Sequence, residues 1–90
     1  MYLNIRFDSM EEFFRITDFL YELGYRWNSG DSQEGKRNHF YIKNNFLNNH
    51  SLVSANIDTK IMSHPQNDND GKKLTNQQIL EELVAKSLNA

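Results

Sequence analysis

The residues best suited to chemistry lie together in the middle of the chain. Tyr25-Arg26-Trp27-Asn28-Ser29-Gly30 is followed by Lys36-Arg37-Asn38-His39 and then by Tyr41. Arg26, Lys36 and Arg37 supply positive charge, and the forked guanidinium of an arginine suits a phosphate or a carboxylate. Trp27 and Tyr41 offer flat faces on which a base can stack. Trp, Tyr and Arg are also the residue types enriched at protein-binding hot spots. The candidate contact set is therefore Arg26, Trp27, Asn28, Lys36, Arg37, His39 and Tyr41. Part of this set has a second reading. Tyr25 and Trp27 are two apart, so in an extended segment they share a face, and that face is either core or site.

Catalytic patterns are missing from the rest of the sequence. His39, His50 and His64 are scattered, with no pair at a metal-ligand spacing. With no cysteine there is no disulfide framework, thiolate metal site or cysteine nucleophile. The carboxylate pairs Glu11-Glu12 and Glu81-Glu82 fall on expected helices, where capping and solubility explain them. Asn67-Asp68-Asn69-Asp70-Gly71 resembles half a calcium loop. Setting Gly71 at the loop's glycine places Gln66 and Gln77 where carboxylates are required, so that signal fails. Neither a G-x-S-x-G elbow nor a glycine-rich phosphate loop occurs. The expectation is a protein that binds, with no enzymatic activity, no cofactor and no metal.

Composition narrows the partners. Ninety residues make one domain with a single core. Hydrophobic residues are 38% of the chain, and six Phe, four Tyr and one Trp must fill much of that core. A net charge of −2 leaves no basic footprint for duplex DNA, which makes nucleic acid an unfavoured partner. Met1–Arg6 lacks the apolar core of a signal peptide, and no stretch reaches the length of a membrane span. A cytoplasmic protein is expected.

The candidate set must be positioned by a small number of elements. Leu3, Ile5 and Phe7 alternate with Tyr2, Asn4 and Arg6 as in a half-buried strand. Ser9 with Glu12 forms a capping box for a helix running to about Leu23, where Gly24 supplies the stop. Tyr25–Asn28 reads as a short extended segment that completes a β-α-β crossover if it joins the first strand's sheet in parallel. Ser29–Asn38 reads as a surface loop, His39–Lys43 as a second strand, and Leu52–Ile57 as a third strand pairing with it in a hairpin across a polar turn at 44–50. Thr75 and Gln78 cap a final helix with Ile79, Leu80, Leu83, Val84 and Leu88 as its apolar stripe. The fold class is α+β: a small β-α-β-β-β sheet with one helix packed on it and a second helix after a flexible tether. The divisions are a core at 1–62, a linker at 63–74 and an amphipathic helix at 75–90. That last helix either covers the same sheet or reaches a second copy in a homodimer.

The run Phe19-Leu20-Tyr21-Glu22-Leu23-Gly24-Tyr25-Arg26-Trp27-Asn28-Ser29-Gly30, followed by the aromatic-rich Phe40-Tyr41-Ile42, resembles a segment of small phage-encoded accessory proteins. The likeness covers roughly residues 2–58 and leaves out the tether and final helix. It implies a protein acting in the cytoplasm of an infected bacterium, in host takeover or anti-defence. Such proteins commonly inhibit a host enzyme or a defence protein by direct binding, and some sequester a small nucleotide signal. Inhibition of a bacterial protein is the leading expectation. Sequestration of a nucleotide by Arg26, Trp27, Arg37 and Tyr41 is the alternative, and single-stranded nucleic acid binding on an aromatic sheet face comes third.

Overall fold

The structure, a computed structural model, describes residues 1–43, 52–65 and 71–88, with the side chains of 41–43 and 87–88 left out. In chain order the elements are β1 (Tyr2–Arg6), α1 (Met10–Glu22), β2 (Arg26–Trp27), α2 (Gln33–Lys43), β3 (Leu52–Asn56), β4 (Ile61–Ser63) and α3 (Asn76–Leu88). The strands form one mixed four-stranded sheet in the order β1-β3-β4-β2. β3 is antiparallel to both β1 and β4, and β2 runs parallel to β4. This is the α+β class that the alternation of patterns predicts.

Local signals place the first elements. The register sets Leu3 opposite Ala55 and Ile5 opposite Val53, and all four side chains are buried on the helix-covered face. Ser9 caps α1 by accepting from the Glu12 amide at 3.2 Å. Phe13, Phe14, Ile16 and Leu20 of α1 are buried, while Gly24 takes φ +98°, a left-handed turn that a side chain would strain. The far end of α1 receives further donors: Lys60 Nζ bonds the Leu23 carbonyl at 3.2 Å.

Three expectations are corrected. His39–Lys43 is not a strand, and Ser29–Asn38 is not all loop, because α2 takes up the chain from Gln33 to Lys43. The inward positions of α2 are Gln33, Lys36 and Phe40, with Arg37 half-buried beside them, a helical spacing carried mostly by polar side chains. Hydrophobic periodicity cannot reveal such a stripe. The hairpin therefore joins β3 to β4, a three-residue strand with no signal of its own. Its turn is built by Asn56, whose Oδ1 accepts from the amides of Asp58 and Thr59, and by Lys60 at φ +59°. By contrast, β2 does join the sheet of β1 in parallel, as the β-α-β reading has it, with β3 and β4 lying between the two strands. The polar turn at 44–50, including His50, and the Asn/Asp run at 67–70 lie outside the described residues.

The segment read as a tether is attached at both described ends. Ser63 belongs to β4 and pairs with Ser54. Lys72 forms a parallel bridge to Ile5: its amide donates to the Asn4 carbonyl at 3.0 Å, and its carbonyl accepts from the Arg6 amide at 2.9 Å. This bridge covers part of the open edge of β1. The chain then enters α3 through a reciprocal capping box, with Thr75 Oγ1 accepting from the Gln78 amide and Gln78 Oε1 from the Thr75 amide. Ile79 is fully buried in the core, and Leu74 and Leu83 pack against it. So α3 docks on its own chain by one part of its stripe. Leu80 and Val84 stay exposed. Among the described residues no helix is long and apolar enough to cross a membrane.

Among the described residues of α3, Ile79 is the one fully buried side chain. Ile79→Ala should therefore lower the unfolding free energy by about 2–5 kcal/mol in a urea titration, the usual cost of a large-to-small core change. A loss below about 0.5 kcal/mol would mean that α3 is not docked as described.

Candidate functional site

The structure turns the middle segment inward. Trp27 is 3% exposed and lies nearly parallel to Phe13 and His64, with ring centroids 5.8 Å and 4.9 Å away. Its indole Nε1 donates to Gln33 Oε1 at 2.5 Å. The Gln33 amide nitrogen in turn donates to Thr17 Oγ1 at 2.7 Å and Asp18 Oδ1 at 2.9 Å. One buried glutamine from the first turn of α2 therefore joins β2 to α1. Its donors and its acceptor are all used. Trp27 is core, and no face of it is open for a stacked base.

The basic residues are occupied as well. Lys36 is only 9% exposed, with its ammonium 4.5 Å over the Trp27 ring and 3.8 Å from Asp31. Arg37 pairs with Asp18 and lies 4.6 Å over the Phe14 ring. Arg26 is exposed, but its guanidinium donates to the Tyr21 and Tyr25 carbonyls and sits 4.4 Å over the Tyr21 ring. Its bond to Tyr21 thereby serves a carbonyl in the last turn of α1. Asn28 is exposed and its amide bonds the Met62 carbonyl at 2.9 Å. His39 is exposed on α2, against the edge of Phe40, and the side chain of Tyr41 is outside the description. Of the sequence-selected set, Trp27, Lys36 and Arg37 are thus brought together in the clamp that fastens α2 to the body, whereas Arg26, Asn28 and His39 lie apart from it.

Burial leaves its mark on two titrating groups. Desolvation pushes the Lys36 ammonium below the ordinary lysine value, with Asp31 opposing. Desolvation also raises the Tyr25 phenol, and the Asp58 carboxylate adds to it. Among the described residues no three His, Asp or Glu side chains converge to hold a metal ion.

No protein-family model, curated protein or solved structure matches the chain. The geometry therefore stands by itself, and it offers a different surface from the one the sequence singles out. An open groove of about 380 Å³ runs beside α3. Leu23, Tyr25, Ile57 and Lys60 line it from the body, and Leu80, Leu83 and Val84 from α3. Leu80 is 37% exposed and Val84 57%. Among the described residues Lys60 is the only charged side chain in the lining. Sequence reasoning places Leu80 and Val84 on an apolar stripe, but nothing local links them to Leu23 or Ile57.

Two predictions follow from the clamp. Gln33→Leu leaves the buried indole N–H without its acceptor and removes a donor from the Thr17 hydroxyl, which keeps its bond to the Phe13 carbonyl, so it should cost about 1–3 kcal/mol of stability. Emission of the single tryptophan during urea unfolding measures it; an unchanged midpoint would dismiss the network. For Lys36, the folded pKa lies below the unfolded value, so the unfolded chain holds more protons between the two. Stability gained from this group therefore rises as pH climbs through that window toward 10.5. The unfolding free energy of wild type minus that of Lys36→Met should grow from neutral to alkaline pH. A pH-independent difference would show that burial does not shift this lysine.

Proposed function

We propose that the chain acts by binding proteins, without catalysis, as an accessory protein that binds and blocks a bacterial host or defence protein. The observation that carries the reading is the apolar groove beside α3, bordered by the exposed Leu80 and Val84. Apolar surface of this kind costs free energy in water, and covering it is the main favourable term in protein association. Two protein-contact surfaces follow: the groove with α3, and the exposed polar turn Asn28–Ser32. Resemblance to phage accessory proteins supports the bacterial target. The nucleotide-sequestering alternative finds less support, because it requires an accessible Trp27 face and uncommitted arginines.

Affinity capture from a bacterial lysate with wild type and Val84→Glu chains tests this. A stoichiometric bacterial protein held by the wild type is expected. Recovery of none, from a chain whose circular dichroism shows it folded, overturns the reading.

A further inference from the structure

The groove has a definite chemistry. Among the described residues its lining carries one charge, Lys60, whose ammonium donates to the uncharged Leu23 carbonyl. Asp58, two residues earlier, is already paired with the N-terminal ammonium at 3.1 Å. A fitting occupant brings aliphatic side chains one helical turn apart, with a carboxylate beside them for Lys60. Among the described residues α3 itself matches that description: it displays Leu80 and Val84 at i,i+4, flanked by the exposed Glu81, which accepts from Gln77 at 3.4 Å.

A patch that carries both a groove and the group to fill it is self-complementary, and self-complementary patches pair about a twofold axis. We infer that the occupant of this groove is α3 of a second copy of the chain. In the dimer, Leu80 and Val84 of each copy enter the other's groove, and Lys60 of each meets Glu81 of the other. The exposed polar turn at 28–32 then remains for the bacterial target. The inference rests on reading the groove as a protein contact, and it names the protein.

Sedimentation equilibrium of the full chain, from micromolar to near-millimolar concentration, tests it. The wild type should approach twice its mass of 10.6 kDa. Val84→Glu should be monomeric throughout with unchanged circular dichroism. Lys60→Glu and Glu81→Lys should each weaken the dimer about tenfold, because a twofold axis repeats the modest effect of one ion pair. The double variant Lys60→Glu/Glu81→Lys should restore wild-type association. A monomeric wild type overturns the inference, as does a dimer indifferent to Val84→Glu or a double variant weaker than both singles. The two readings separate cleanly. A monomer that still captures a bacterial protein through Val84 removes the second copy and keeps the groove as a protein contact. A Val84-dependent dimer that captures nothing keeps the second copy and removes the bacterial target.

Discussion

The ring of Phe13 is the contact on which the rest of the structure depends. It is fully buried, and five other rings among the described residues meet it. Phe7 and Phe40 approach edge-on at 5.3 and 5.2 Å, Phe14 at 4.9 Å, and Trp27 and His64 lie nearly parallel at 5.8 Å each. Those partners come from the end of β1, from α1 and α2, from β2 and from the chain leaving β4. Aromatic side chains bury roughly 150–250 Å² apiece, and edge-on and offset arrangements add to that burial. In a 90-residue chain the core is small. A single ring shared among so many elements makes their positions mutually dependent.

That arrangement explains what becomes of the chemically capable residues. Closing the aromatic core on the side of α2 requires a lid, and the lid is polar. Gln33 satisfies the indole N–H, Lys36 lays its ammonium over the same indole, and Arg37 bridges to Asp18 across the Phe14 ring. A buried polar network is favourable only when each member finds its partner, since an orphaned group costs more than the bond contributes. Here the partners come from α1 and from the turn before α2. Side chains that look like ligand-binding equipment are consumed by tertiary structure.

At the other end of the molecule the packing is incomplete. Helix α3 is anchored by Ile79, with Leu83 beside it, and the Lys72 bridge fixes the entering chain to β1. The apolar stripe of α3 is wider than the body it rests on. Leu80 and Val84 overhang a groove whose far wall is the end of α1 and the turn after β3. Exposed apolar surface is thereby concentrated away from the segment whose residue types suggest binding, on ordinary aliphatic side chains whose arrangement alone makes them distinctive.

Much of the fold was legible in the sequence because the signals are local. Alternation places β1 and β3, the Ser9 and Thr75 boxes start their helices, and Gly24 ends α1, each determined by residues within a few positions of one another. Helix α2 was not legible, because its inward stripe of Gln33, Lys36 and Phe40 becomes a buried face only when Trp27, Thr17 and Asp18 stand opposite. Strand β4 was too short to show a pattern. The sequence by itself determined that Tyr25 and Trp27 share a face and that Leu80 and Val84 share a stripe. Only the tertiary structure decided that the first face is closed and the second open. Periodicity says which side chains point together; what lies across from them depends on residues far away in the chain.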